Sequence, residues 1–294
     1  MEKFPRVEDF MFSNGFKARA IHIVKDTPPE AILAKLAFDP FPCAVIPVSG
    51  GAKDFPRYLP NNGFLKMHSF IEAVVEVAFN KRIMLVDGGT NTGVMQLIGS
   101  FFEKISKSDP NCILPPLIGF VPEPKVNYPG ASIEGRDPKA DSLDPNHSCF
   151  VLVNDVQEWG DEVDSMFALV NSLSARLPSV SLIVNGGLTT LKEAVRNARD
   201  GREIIVIEGS LRATRAIIAA INGATENELT KILFDKLDNE VSLIDVNDNQ
   251  YKQKLDNALS DLKEIAQYNK ITRFGLDSTP VELTTLVIDK LGLT

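Results

Sequence analysis

Four buried apolar segments that end in glycine-containing turns constrain the fold of this chain more than any other feature. They are CAVIPVSGG from Cys43, IMLVDGGT from Ile83, SLIVNGGLTT from Ser181 and EIIVIEGS from Glu203. Each has strand length, and a segment with helical periodicity follows each turn. The repeat predicts an α/β fold with an open, mostly parallel sheet and helices on both faces. The turns are then expected at the carboxyl edge, where such sheets bind ligands.

The chain divides by pattern into two parts. Further strands are expected at residues 16–24, 117–121 and 149–153, and the strand signals weaken after residue 225. We therefore expect a sheet domain over residues 1–225 and a helical extension over residues 226–294. The last predicted helix is still running at Thr294, which is compatible with truncation of a longer protein.

Two sequences predict helix starts of the same kind. They are TPPE from Thr27 and TPVE from Thr279. In each, the threonine is expected as the N-cap, proline as the first helical residue, and glutamate as the partner that completes a capping box.

Composition excludes several classes of function. The 294 residues carry a net charge of −8, with 31 basic and 39 acidic side chains in no long block. A nucleic-acid partner is not expected, because tracking a phosphate backbone requires a basic stripe. No apolar run approaches the roughly 20 residues that a membrane span needs, and the N-terminus lacks the apolar core of a signal peptide.

The cysteines and histidines predict neither a disulfide framework nor a metal site. Cys43, Cys112 and Cys149 are far apart and form no CxxC pair. A reducing compartment is favoured, and we expect a cytoplasmic location. None of the three histidines has a metal-ligand partner at suitable spacing, so neither a metal nor another cofactor is expected.

The glycine turns can bind phosphate. Glycine lets the backbone approach a ligand closely, and the helix that follows offers unpaired N–H groups and a partial positive charge. A single turn of this kind is also what any strand-to-helix connection requires. Four turns at the same edge favour a nucleotide-like ligand.

Two segments add side chains to this edge. In NGGLTTLKE from Asn185, Thr189 can meet a phosphate and Glu193 can act as a catalytic carboxylate if the protein is an enzyme. The structural alternative is that Glu193 completes a capping box with Thr190. Arg212 is expected in the first turn of a helix, where its charge opposes the helix dipole, so a phosphate-binding role is as well supported as a structural one.

Five ordered motifs carry a resemblance to a known family. They are IPVSGGAKDF from Ile46, LVDGGTNTGVMQLIG from Leu85, LDPNHSCFVLVND from Leu143, WGDEVD from Trp159 and VIEGSLRATRAI from Val206. In this order they resemble the N-terminal cytoplasmic domain of melastatin-type TRP channels. The chain is thus similar to the LSDAT branch of the SLOG superfamily, which is related to lysine-decarboxylase-like proteins. The segment NGGLTTLKE also resembles the PGGxGTxxE signature of Lonely-guy phosphoribohydrolases.

The resemblance implies a Rossmann-like domain that binds nucleotide-derived ligands, with ADP-ribose and its cyclic relatives as the best-known class. By position it implies glycine turns that meet phosphates, Trp159 as a stacking aromatic and Arg212 as a phosphate contact. The full set of ligand-binding candidates is Ser49, Gly50, Gly51, Gly88, Gly89, Thr90, Thr92, Gly93, Asp155, Trp159, Gly186, Gly187, Thr189, Gly209, Ser210 and Arg212.

Two positions depart from the family pattern. An arginine that the relatives carry in the helix after the tryptophan motif is replaced near Met166. The signature proline and glycine of the phosphoribohydrolases are Asn185 and Thr189 here. Loss of the arginine removes a charge partner for phosphate and weakens the case for a hydrolase most.

Three hypotheses follow from the sequence. The first is binding or sensing of an ADP-ribose-like nucleotide. The alternative is an N-glycosidase that acts on a nucleoside monophosphate or an NAD-like substrate through Glu193. The third is an assembly module whose C-terminal helices join copies into a homo-oligomer.

Overall fold

The computed structural model describes residues 4–51, 63–109, 111–131, 137, 139–208, 212–235 and 242–293. The strands are β1 Arg6–Met11, β2 Lys17–Ile23, β3 Ala44–Gly50, β4 Ile83–Asp87, β5 Leu117–Pro122, β6 Val126–Asn127, β7 Asp141–Ser142, β8 Cys149–Val153, β9 Val180–Val184, β10 Glu203–Glu208 and β11 Ile271–Gly275. The helices are α1 Pro29–Leu36, α2 Gly63–Lys81, α3 Gly93–Ser108, α4 Val163–Ser174, α5 Leu188–Arg199, α6 Ala213–Ile221, α7 Glu226–Phe234, α8 Tyr251–Ala266 and α9 Pro280–Leu291.

The described residues form one large sheet in the order β1-β2-β8-β5-β4-β3-β9-β10-β11, beside a separate pair of β6 and β7. The pairing in the large sheet is parallel except between β1 and β2. The chain leaves β3 toward β4 on one side and later returns to place β9 on its other side. The expected mostly parallel α/β fold is confirmed, and the switch point at β3 and β9 is where open sheets of this kind form ligand crevices.

Alternating side chains of the central strands bury against helices on both faces. On β3, Ile46 packs in a cluster with α2, α3 and α9, whereas Val45 packs in a cluster with α1 and α4. On β9, Leu182 belongs to the first cluster, whereas Ile183 packs with α5, α6, α7 and α8. Full burial of each such side chain contributes about 1.5–3 kcal/mol, so both faces hold the helices firmly.

The region after residue 225 is mostly helical, as expected, and it also contains a strand. In β11, Ile271 pairs with Ile204 of β10 in parallel register, so this strand extends the large sheet. The α8 helix packs on α5 and α6, and α9 packs on α2. The sequence reading missed β11 because an edge strand of five residues with exposed Arg273 lacks a continuous apolar run. The domain boundary near residue 225 stays a prediction.

One of the two predicted capping boxes forms. Thr279 is the N-cap of α9, its Oγ1 accepts from the N–H of Glu282, and the Glu282 carboxylate accepts from the N–H of Thr279. The prediction for Thr27 is wrong, because the N-cap of α1 is Pro28 and no side chain caps this helix. A residue before proline is pushed toward extended backbone, and Pro28 precedes Pro29, so the helix begins one residue later than expected.

Candidate functional site

The turns after β3, β4 and β9 meet at the carboxyl edge of the sheet. The N–H of Val94, at the start of α3, donates to the carbonyl oxygen of Gly51 over 3.1 Å. A Cβ atom at Gly51 would lie 3.3 Å from Nδ2 of Asn185, in the turn after β9. The N–H of Ala213 donates to the carbonyl oxygen of Gly186 over 3.1 Å, which brings the start of α6 to the same place. The segments that the sequence predicted to share one site therefore touch one another.

A cavity of about 280 Å³ opens where these segments meet. The predicted candidates that line it come from three of the four glycine turns, from α5, from the start of α6 and from the tryptophan motif: Gly50, Gly51, Gly88, Thr90, Trp159, Gly187, Thr189, Glu193 and Arg212. Five more of the described residues line it: Val48, Met95, Asp141, Glu162 and Thr190. The cavity thus has backbone from three glycine turns, an apolar floor, several carboxyl groups and one arginine.

Other predicted residues lie behind the wall. Ser49 is buried next to Glu193, and its hydroxyl partly offsets the rise in the pKa of the Glu193 carboxyl group. Thr92 is the N-cap of α3, and its hydroxyl lies 3.0 Å from that of Thr90. Gly93 is the first residue of α3. These residues shape the wall from the second layer, where they can orient the groups that face the cavity.

Two glycines are required by space. A Cβ atom at Gly186, whose φ is +95°, would lie 2.2 Å from Oγ1 of Thr190. A Cβ atom at Gly89, whose φ is +62°, would lie 2.7 Å from the Cα atom of Gly119 in β5. Gly186 thus lets its turn pack against the first turn of α5, and Gly89 lets its turn pack against β5, so both glycines help to position the turns.

A further predicted ligand-binding residue does not line the cavity. Asp155 is exposed and does not line the cavity, and its Oδ1 accepts from the N–H of Lys25 over 2.7 Å. This contact ties the end of β8 to the end of β2. Gly209 and Ser210 lie outside the described residues.

Sequence reasoning missed two acidic residues of the wall. Asp141 belongs to β7, inside the long proline-rich segment, and the N–H of Asn91 donates to the carbonyl oxygen of Ser142 over 2.8 Å. This hydrogen bond holds the segment against the turn after β4. Glu162 lies in the motif WGDEVD, in which Trp159 is the only residue that the sequence predicted for the site. Its place directly before a helix was the available signal.

The two glutamates of the cavity have raised pKa values. Glu162 is 7% exposed, and its Oε2 accepts from the N–H of Gly160 over 2.8 Å. Burial raises the pKa of Glu162 to about 7. Burial raises the pKa of Glu193 to about 8, and the charges of Glu162 and Asp87 add to this effect. Glu193 therefore holds a proton at neutral pH, and acids with such shifted pKa values are typical of functional sites.

The capping role considered for Glu193 is wrong. The α5 helix begins at Leu188 with Gly187 as its N-cap, and no side chain caps it. Thr190 is therefore the third residue of the helix rather than its cap, and Glu193 lies too far along the helix to reach back to the first turn. Its half-buried side chain lines the cavity instead.

Arg212 enters the cavity from a strained position. It is the N-cap of α6, with φ 53° and ψ −119°, a conformation that side-chain-bearing residues rarely adopt. Within the described ranges, no carboxylate forms an ion pair with its guanidinium group, and its buried Nε has no hydrogen-bond partner. By contrast, the guanidinium of buried Arg202 donates to Asn197 over 2.5 Å and to Asn171 over 2.6 Å. Strain and an uncommitted cation at one residue fit a binding role better than a structural one.

A second acidic group lies beneath the turn after β4. His147 is fully buried, its Nε2 lies 2.8 Å from Oδ1 of Asp87, and its Nδ1 lies 3.1 Å from Oδ1 of Asp144. Burial alone would lower the pKa of His147, but the charge of Asp87 and the hydrogen bonds to Asp144 and Asp87 raise it to about 10. The motifs LVDGGT and LDPNHS thus meet in an ion-paired cluster that supports the site.

The part of the chain that the structure describes lacks two further features. It contains no group of three or more His, Cys, Asp or Glu side chains that could hold a metal ion. None of its helices is long and apolar enough to span a lipid bilayer.

The fold and the cavity together define a class of protein: an α/β protein of the Rossmann-like type with a ligand-sized crevice at its switch point. A family model described as SLOG in TRPM, prokaryote, matches residues 43–254. The chain therefore belongs to this family, which confirms the resemblance seen in the motifs. The matched range crosses residue 225 and reaches into α8.

The curated relatives are channel proteins. Over 247 residues the chain is 25% identical to transient receptor potential cation channel subfamily M member 2 of Mus musculus, a match that covers 71% of this chain and 16% of the relative. The rat protein is 26% identical over 64% of this chain and 14% of its own length. The member-like 2 protein of Nematostella vectensis is 28% identical over 62% of this chain and 13% of its own length. The similarity thus spans less than a fifth of each relative.

Proposed function

We propose that this protein binds a nucleotide-derived ligand of the ADP-ribose type in the cavity at the carboxyl edge. The observation that carries the proposal is the convergence of three glycine turns and the uncommitted guanidinium of Arg212 around a single cavity. Backbone N–H groups at turns and helix starts bind phosphate, and a guanidinium group can grip it through two hydrogen bonds.

The remaining walls suit the rest of a nucleotide. Trp159 is 40% exposed at the rim, where its ring can stack on a base or cover a ribose. The carboxyl groups of Glu162 and Glu193 can hydrogen-bond the hydroxyl groups of a ribose. Because Glu193 holds its proton at neutral pH, it adds a donor without adding a negative charge next to the phosphates.

Isothermal titration calorimetry tests the proposal with ADP-ribose, cyclic ADP-ribose, NAD and AMP. We expect binding of at least one of these ligands, and Arg212→Gln is expected to weaken it by about 10- to 100-fold, since charge-assisted hydrogen bonds contribute about 1.5–3 kcal/mol each. Arg215→Gln is the matched control, because Arg215 lies on the same helix and pairs with Asp235. No binding of any of the four ligands at millimolar concentration would overturn the proposal.

A second candidate function is cleavage of an N-glycosidic bond in a nucleoside monophosphate or NAD-like substrate. It is favoured by the two carboxyl groups with raised pKa values in the cavity, one of which belongs to the segment NGGLTTLKE. In this mechanism Glu193 stabilises the positive charge that develops on the ribose or activates a water molecule beside it, as paired carboxyl groups do in glycoside hydrolysis.

Chromatography of substrate mixtures decides between binding and turnover. If the chain is a hydrolase, free base appears with the wild type and Glu193→Gln abolishes its release. Glu264→Gln, at a half-buried glutamate on α8 that pairs with Arg199 away from the cavity, is the control. Unchanged turnover in Glu193→Gln would rule out the role assigned to this residue.

Location and assembly are further parts of the proposal. A cytoplasmic location agrees with the three free thiols, and cell fractionation tests it.

Assembly through the C-terminal helices is tested by light scattering on the intact chain, because truncation near residue 225 would remove β11 from the sheet. Val281→Asp, at an exposed position of α9, should change the oligomer if this helix joins subunits.

A further inference from the structure

A second cavity lies beside the first, between α5 and α8. Its volume is about 250 Å³. Its walls come from the loop before α4, from α5 and from α8: Trp159, Leu188, Thr189, Leu191, Lys192, Lys254, Asn257, Ala258 and Asp261. It therefore lies between the sheet region and a helix from the region after residue 225.

The two cavities share a wall. Trp159 and Thr189 line both of them. A Cβ atom at Gly160 would lie 3.6 Å from the side chain of Thr189, so the loop that carries Trp159 rests directly on the start of α5. The indole ring, which is 40% exposed, stands at the boundary, and a molecule that passes it would enter both cavities.

Size favours joint use of the two cavities. Sites for ligands of drug size span roughly 300–1,000 Å³. The first cavity, at about 280 Å³, falls at the bottom of this range, and the second has a similar volume. A ligand that is larger than the first cavity can therefore extend past Trp159 into the second.

The charge of the second cavity differs from that of the first. Among the described residues, the first cavity combines one arginine with several carboxyl groups, whereas the second has two lysines, one asparagine and one aspartate. Burial raises the pKa of Glu162 in the first cavity and of Asp261 in the second, and the positive charge of Lys192 partly offsets this rise in both. Lys254 pairs with Asp248 at the outer end of the wall. This side therefore suits an anionic or hydroxyl-rich group.

We propose that the two cavities form one elongated binding site, in which Trp159 divides the ligand and the wall of α8 holds its second ribose with the adjoining phosphate through Lys254, Asn257 and Lys192. The proposal rests on the proposed function and adds to it a location for the second sugar unit of an ADP-ribose-type ligand. Its consequence is that ligand contacts reach α8, so occupancy of the site is coupled to the region after residue 225.

Calorimetry with AMP and ADP-ribose on the intact chain tests this proposal. Asn257 is exposed on α8, and Asn257→Trp fills the second cavity without changing the buried core. We expect this variant and Lys254→Gln each to weaken ADP-ribose binding by about tenfold while AMP binding stays within twofold of the wild type. The controls are Asp256→Trp and Lys263→Gln on the same helix, since neither residue lines the cavity.

The outcomes separate this proposal from the proposed function. If wild type binds both ligands and the α8 variants bind ADP-ribose as tightly as the controls do, the elongated site is overturned and nucleotide binding in the first cavity stands. If the α8 variants weaken AMP and ADP-ribose equally, the second cavity does not select the second sugar unit, and the proposal also fails. If wild type binds neither ligand, both proposals fall.

Discussion

Two groups of acidic residues lie at the same edge of the sheet, and they differ in whether a cation accompanies them. Asp87 and Asp144 enclose the imidazole of His147, whose raised pKa gives it a positive charge between them. Glu162 and Glu193 line the cavity, and among the described residues no cationic side chain forms an ion pair with either. Burial therefore raises their pKa values. The first group stabilises the turn after β4, whereas the second keeps protonated acids facing a ligand-sized space.

Removal of His147 is expected to have the largest effect on stability. His147→Ala leaves two buried carboxyl groups without their cation, and we expect a loss of about 3–5 kcal/mol in the free energy of unfolding. Urea unfolding followed by circular dichroism measures this loss. His68→Ala is the control, because His68 is half-buried on α2 and packs edge-on against Phe101 without a carboxylate partner in the described structure. Equal losses in the two variants would show that His147 contributes by packing alone.

In the cavity, removal of an ionisable side chain is expected to raise stability instead of lowering it. Glu193 has a pKa of about 8 in the folded protein, above its ordinary value near 4.5. The unfolded chain therefore releases this proton first, and stability falls as pH rises between these two values. Glu193→Gln cannot ionise, so it should be more stable than wild type by about 1–3 kcal/mol at pH 9, after allowance for solvent in the cavity, and equal to it only below the ordinary pKa, at about pH 3.5.

Unfolding titrations at both pH values measure this difference. Glu264→Gln is the matched control, because a hydrogen bond from Arg199 lowers the pKa of Glu264. It should gain no stability at pH 9. A Glu193→Gln variant that is no more stable than wild type at pH 9 would show that other groups stabilise the Glu193 carboxylate in the folded protein.

The charges of Glu162 and Glu193 should also control ligand affinity. As Glu162 and Glu193 ionise, they repel a phosphate in the same cavity, so ADP-ribose affinity is expected to fall about tenfold between pH 6 and pH 9. The double variant Glu162→Gln with Glu193→Gln should flatten this dependence, and uncharged adenosine should show little of it. A constant affinity for ADP-ribose in wild type would contradict the placement of its phosphates near these acids.

The smallest effect is expected at Asp155. Its carboxylate accepts from the N–H of Lys25 outside the cavity, so Asp155→Asn should leave ADP-ribose affinity within twofold of wild type. Loss of this exposed hydrogen bond should lower stability by about 1 kcal/mol or less. Calorimetry and urea unfolding check both values, and a tenfold loss of affinity would extend the site beyond the cavity.

The sequence predicted the central sheet because its strands are fully buried and glycine turns end them. The same local signals located Gly50, Gly88 and Gly187, since a turn at the carboxyl end of a parallel strand must lie at that edge. It missed β1 and β11, which are edge strands with charged residues and no continuous apolar run. Edge strands depend on pairing with a neighbour, which a local pattern does not contain.

The acids of the cavity were harder to predict. Glu162 and Asp141 reach the site only through tertiary packing, one from a helix cap and one from a long loop. The partner set of His147 joins residues 60 positions apart, so its role could not be read from spacing. The raised pKa of Glu193 likewise arises from burial and from neighbours on other elements, which only the folded chain brings together.

A crystal structure of the chain grown with ADP-ribose tests whether the cavity at the carboxyl edge binds this ligand. We expect ligand density in the cavity bounded by Gly51, Gly187 and Arg212. A phosphate should lie within hydrogen-bond distance of the Arg212 guanidinium, and the second sugar unit should lie beyond Trp159 toward α8. An empty cavity at saturating ligand, or density at another place on the molecule, would contradict it.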